Sequence, residues 1–184
     1  GMAYGADTTT DEVLEGMKLD GLRVIVTGAS GGLGEETARA LAAHGAQVTL
    51  TARDLGRGRA ALERIRSLTD HDNLEVRELE LGDADSIRAF AEGWLADHDG
   101  LDVLINNAGI MACPLERTAK GYELQFATNH LGHFELTGRL MPALRKGTRP
   151  RIVNLSSAAH KLSAVDFEDP HFERRDYDKW VAYG

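Results

Sequence analysis

The sequence predicts an α/β fold, a doubly wound parallel sheet that is incomplete at its C-terminal side. Three observations lead there. From Leu22 onward, short β-branched runs alternate with longer stretches of helical period, the pattern of βαβ units. A glycine cluster stands at the first strand-to-helix turn, where such folds bring backbone close to a ligand. Finally, the alternation stops just past Tyr183, leaving the last strand as an expected bare, apolar edge.

The strands are expected at Leu22 to Thr27, Gln47 to Thr51, Leu74 to Leu79, Leu101 to Ile105 and Arg151 to Leu155. Between the first two, Glu35 to His44 carries Ala38, Leu41 and Ala42 at helical spacing and stops at Gly45, a residue suited to a C-terminal cap. A second helix is expected over Leu55 to Leu68. Asp83 or Asp85 caps a third, running through His98, whose stripe of Ile87, Phe90, Ala91 and Trp94 recurs at i, i+3, i+4 and i+7. Gly121 to Leu144 reads as one long or broken helix before the turn at Gly147 to Pro150, and Ala159 to Asp178, polar and broken by Pro170, reads as a loop. Residues 1–20 form an N-terminal extension with a short surface helix over Asp11 to Met17; Gly1-Met2 reads as a remnant of cloning.

The 184 residues, 42% of them apolar, suffice for one core, placed over residues 21–184. With 21 basic against 29 acidic residues, the net charge of -8 disfavours a nucleic-acid partner. Cys113 is the single cysteine, which excludes an intrachain disulfide and suits a reducing, cytoplasmic setting. The apolar runs are strand-sized, far below the roughly 20 residues of a membrane span. His130 and His133 share a helix face, but with no third ligand in view packing is the expectation and no metal is assigned.

In the loop Thr27-Gly28-Ala29-Ser30-Gly31-Gly32-Leu33-Gly34, Gly28 permits the tight turn, Gly32 the approach of a pyrophosphate and Gly34 close packing of the helix. The helix start adds free N–H donors and partial positive charge. The spacing G-x-x-x-G-x-G, with Asn106-Asn107-Ala108-Gly109 after the fourth strand and Ser156-Ser157 after the fifth, resembles the short-chain dehydrogenase/reductase family. Asn129-His130-Leu131-Gly132-His133-Phe134 and the long interval between Ser157 and Tyr183 are similar to its retinol dehydrogenase-like branch, including related bacterial oxidoreductases.

That resemblance implies a Rossmann-type NAD(P)-binding domain, a small carbonyl or alcohol substrate and a homodimer. It places Thr27, Gly28, Ser30, Gly32, Leu33, Gly34, Asn107, Ala108 and Gly109 at the cofactor, with Glu80 and Leu81 at the adenine and Asn106 bracing neighbouring strands. Where a 2′-hydroxyl reader would place a carboxylate, the second strand ends in Ala52-Arg53; a guanidinium there grips a 2′-phosphate, so NADP(H) is expected over NAD(H). Catalysis falls by resemblance to Ser157, Asn129 and Tyr183 as proton donor, with Tyr177 the rival phenol. The family's lysine, four residues after the tyrosine, would lie beyond Gly184, so the chain reads as cut short and by itself catalytically silent. The alternative is a non-catalytic dinucleotide-binding protein.

Overall fold

The computed structural model describes residues 4–69 and 71–184. Gly1 and Met2, read as a cloning remnant, lie outside them. The elements in chain order are α1 (Thr10–Leu14), β1 (Arg23–Val26), α2 (Gly32–Ala43), β2 (Gln47–Ala52), α3 (Leu55–Thr69), β3 (Leu74–Glu78), α4 (Ala84–Asp97) and β4 (Val103–Asn106). They continue with α5 (Leu124–Phe126), a π turn (Ala127–Leu131), α6 (Gly132–Leu144), β5 (Arg151–Asn154), a 3-10 turn (Ala158–Lys161) and α7 (Lys179–Tyr183). The five strands are all parallel in the order β3-β2-β1-β4-β5.

Strand alternation builds two cores. Val24 and Val26 of β1 face one apolar cluster with Ala38, Ala42, Leu62 and Ile65 of α2 and α3. Ile25, between them in sequence, faces the other with Ile87, Phe90, Trp94, Leu136 and Leu140 of α4 and α6. Parallel strands buried on both faces therefore read as continuous apolar runs, which is how the first strand was legible. Trp94, 1% exposed, also donates its indole N–H to Thr49 Oγ1 at 3.1 Å, so the sheet's helix face is hydrogen-bonded as well as packed.

The chain winds from β1 outward to β3, then crosses to β4 on the other side of β1, making the β1/β4 boundary the point where strand order reverses. Open α/β sheets bind ligands outside the carboxyl ends of the strands at such a point. At the opposite end of the same boundary, Asp102 accepts from Arg23 N and Nε at 3.0 Å each and from Thr148 N at 2.9 Å.

Gly121 to Leu144 resolves into a broken helix. The Glu123 carboxylate caps its start, accepting from Gln125 N at 3.0 Å and Phe126 N at 2.6 Å. The π turn then admits an extra residue, with Gly132 N–H reaching back to Ala127 O. Gly132 lies hard against the Leu81 carbonyl, where a β-carbon would collide, so the helix crosses the end of β3 at backbone range. β5 is an edge strand with Ile152 and Val153 over 40% exposed, the bare apolar edge expected from the pattern. Among the described residues, no helix is long and apolar enough to cross a membrane.

Candidate active site

Two clefts meet at the carboxyl edge of β1 and β4. The first, of about 370 Å³, lies over the glycine loop and is lined by Ser30, Gly34, Arg53, Glu80 and Ala108 among others. Its walls are cross-braced. Thr27 Oγ1 accepts from Asn107 N and Ala108 N at 2.9 Å each, and the Asn107 amide returns a bond to Thr27 O at 2.7 Å. Gly28 takes φ +65° with Ala108 against it, whereas Gly32, at φ +58°, opens on empty space. Gly32 does not line this cleft; Gly28, Ser30, Gly31 and Gly34 do, and their exposed backbone fits a phosphate brought close to it.

At the far end of this cleft, Ala52 is buried and Arg53 exposed, so no carboxylate ends β2. Asp54, the neighbour that could have neutralised Arg53, accepts from Arg57 N at 3.0 Å at the start of α3. Arg57 lines the cleft beside Arg53. Sequence reasoning missed it, although its place four residues on, one turn into a helix beginning at Leu55, is the signal that could have found it. Glu80 folds back on its own turn: Oε1 accepts from Gly82 N at 3.0 Å, while Glu80 N donates to Ser86 Oγ. Leu81 borders the cleft but is 5% exposed and belongs to the core beneath α6.

The second cleft, of about 930 Å³, shares Leu33 and Asn107 to Ile110 with the first. Asn129, Ser157 and Tyr183, which come from three separate segments, all line it. Asn129 stands in the π turn and pairs its amide with Ile110, Oδ1 accepting from Ile110 N at 2.9 Å and Nδ2 donating to Ile110 O at 2.8 Å. Ser157 caps the 3-10 turn by accepting from Ala159 N at 3.2 Å, leaving its hydroxyl hydrogen free to point into the cleft. Tyr183 rides on α7, whose start is capped by Asp178 accepting from Trp180 N and Val181 N. Met111 and Phe134, 62% and 75% exposed, make the cleft wall apolar. His160 and His133 also line it, and neither had been assigned to the site from sequence.

Asn106 does what was expected of it, donating to Asn154 Oδ1 at 2.7 Å across β4 and β5. Tyr177 is elsewhere. Its hydroxyl accepts from Gln125 Nε2 at 2.8 Å and lies 3.1 Å from both Cys113 O and Glu123 Oε1, and burial leads the influences that push its phenol up to about 12. A phenol so held is a poor proton donor near neutrality. Cys113 does not line the cleft. His130 stacks on Phe126, and no group of three metal-ligating side chains occurs among the described residues.

A sequence model described as short chain dehydrogenase matches residues 23–167, which carry the glycine loop, the Asn-Asn-Ala-Gly turn and Ser157. The chain belongs to the short-chain dehydrogenase family. Within that family it is 46% identical over 167 residues to retinol dehydrogenase 12 of Homo sapiens, covering 91% of this chain and 52% of that protein. A crystal structure of an uncharacterized protein from Mycobacterium paratuberculosis matches with a TM-score of 0.80 at 44% identity, covering 90% of this chain and 57% of that one. A metagenomic short-chain oxidoreductase in complex with NADP matches with a TM-score of 0.69 at 32% identity, covering 90% and 69%. The chain thus spans about half the length of the curated relatives it matches. Both solved family members share the Rossmann-type parallel sheet described above.

Proposed function

We propose that this chain is the cofactor-binding and proton-donating part of an NADP(H)-dependent oxidoreductase that interconverts a carbonyl and an alcohol on a small hydrophobic substrate. One observation carries the reading: the glycine-loop cleft, lined by Arg53 and Arg57, shares Leu33 and Asn107 to Ile110 with the cleft that holds Asn129, Ser157 and Tyr183. The match to a family member in complex with NADP supports the same cofactor.

When bound, the nicotinamide supplies or accepts hydride. Ser30, Gly31 and the first amides of α2 would hold the pyrophosphate, and Arg53 with Arg57 would grip the 2′-phosphate through charge-assisted bonds. Reduction leaves charge developing on the carbonyl oxygen, so a positioned acid is required. Ser157 donates to that oxygen to orient it, and the Tyr183 hydroxyl delivers the proton. Met111 and Phe134 offer apolar surface beside the site that suits a hydrocarbon substituent.

Two measurements test this. Arg53→Ala should lower the NADPH-to-NADH affinity ratio by about tenfold in calorimetric titration, the scale of one charge-assisted hydrogen bond. An unchanged ratio removes Arg53 from the 2′-phosphate. Tyr183→Phe in the full-length protein should reduce turnover of hydrophobic aldehydes by about 10²-fold or more while NADPH binding persists, because it deletes the acid and leaves the phosphate site whole. Full turnover in that variant would reject the proton-donor assignment.

A further inference from the structure

We propose that His133 is a positioning residue: held as the neutral Nδ1–H tautomer, it takes the Thr27 hydroxyl hydrogen at Nε2, donates to the Asn129 carbonyl, and so ties the nucleotide loops to the π turn of the catalytic cleft. The role rests on the cofactor assignment above, whereas the tautomer follows from hydrogen-bond accounting alone.

A threonine hydroxyl has one hydrogen and two lone pairs. Both lone pairs of Thr27 are taken, by Asn107 N–H and Ala108 N–H at 2.9 Å each. Its hydrogen must therefore find an acceptor, and His133 Nε2 lies at 2.8 Å against 3.4 Å for Ile105 O. The other ring nitrogen, Nδ1, lies 3.0 Å from Asn129 O. A carbonyl only accepts, so Nδ1 must carry the hydrogen. The Nε2–H tautomer would set a lone pair against that carbonyl, and an imidazolium would aim Nε2–H at an oxygen with nothing left to give. Neither is tolerated at a residue 6% exposed. Burial is also the largest influence holding this imidazole's pKa below the usual histidine value.

The consequence is mechanical. Thr27 follows β1, Asn107 and Ala108 follow β4, and Asn129 lies in the π turn before α6, so one ring joins three segments distant in sequence. The segments it joins form the floor of the nucleotide cleft and one wall of the catalytic cleft. A phenylalanine would fill similar space but leave the Thr27 hydrogen only the longer bond to Ile105 O, at 3.4 Å, and take the side-chain donor from Asn129 O. Glutamine can place its amide oxygen where Nε2 sits and so accept from Thr27.

Long-range proton–nitrogen NMR on the cofactor-free protein should show His133 protonated at Nδ1 and bare at Nε2 from about pH 6 to about pH 8. An Nε2–H tautomer or an imidazolium in that range overturns the proposal. In the variants, His133→Phe should weaken NADPH binding about tenfold and shift the amide resonances of Asn107 and Ala108, and His133→Gln should restore most of both. Wild-type affinity and unmoved amide resonances in His133→Phe would equally overturn it. Should His133→Phe fail to fold, the wild-type tautomer decides. Should the wild type bind neither NADPH nor NADH, the proposed function fails, and the tautomer and the two amide resonances still decide this inference.

Discussion

Gly28, Gly32 and Gly34 sit in one short loop yet answer to different physical demands. At Gly28 a β-carbon would lie 2.8 Å from the Ala108 Cα, and the backbone is left-handed as well. At Gly34 it would lie 2.5 Å from both Asn107 Nδ2 and Gly28 O, so closeness to the neighbouring loop alone requires glycine. Gly32 is left-handed with open space before it. Gly28→Ala should therefore lose more stability in urea than Gly32→Ala, whose cost is the left-handed strain alone, about 1–2 kcal/mol. NADPH affinity should fall more in Gly28→Ala than in Gly32→Ala, because Gly28 and Ala108 line the nucleotide cleft and Gly32 does not. Comparable stability losses in the two variants would show that the Ala108 approach yields easily. The tight turn at Gly28 and the close packing at Gly34 were readable from spacing, but that Gly34 packs against the Asn107 amide was not, since it depends on a loop far along the chain.

The broken helix that carries Asn129 is set from outside itself. Glu123, fully buried, caps α5, and Tyr177 lies 3.1 Å from that same carboxylate, while Arg117 donates to the carbonyls of His171 and Phe172. The segment between the 3-10 turn and α7, read from sequence as a loop, is thus latched to the start of this helix and fixes where α7 brings Tyr183. Tyr177→Phe should cost about 1 kcal/mol in chemical denaturation, the value of a net hydrogen bond, while turnover in the full-length protein stays near wild type. Loss of turnover in Tyr177→Phe with Tyr183→Phe active would reverse the two tyrosines' roles. Sequence context preferred Tyr183. It could not show why Tyr177 is unsuitable, because burial and the Glu123 carboxylate beside it come only with the packed chain.

At the scale of the molecule, α1 is fastened to α2 by charge. Glu36 accepts from Arg39 and from Thr10, and Arg39 reaches Asp11 at 2.9 Å. The Arg39 hydrogen bond leads the influences that lower the Glu36 pKa from 4.5 to about 2. A carboxylate depressed in the folded state adds stability that is fully present above its unfolded pKa and is lost as pH falls through the folded one. Acid unfolding should accordingly reveal a loss between about pH 4.5 and about pH 2 that Glu36→Gln removes. A variant with the wild-type acid profile would assign that loss to other carboxylates. The sequence by itself determined the five-strand alternation, the glycine turn after β1 and the Ala52-Arg53 end of β2, because each is local: a period, a backbone demand, a residue type at a strand end. Only the tertiary structure decided that Tyr177 is a latch and that His133 reaches Thr27. Each of those depends on which segments the order β3-β2-β1-β4-β5 brings side by side, and no local pattern encodes that distance.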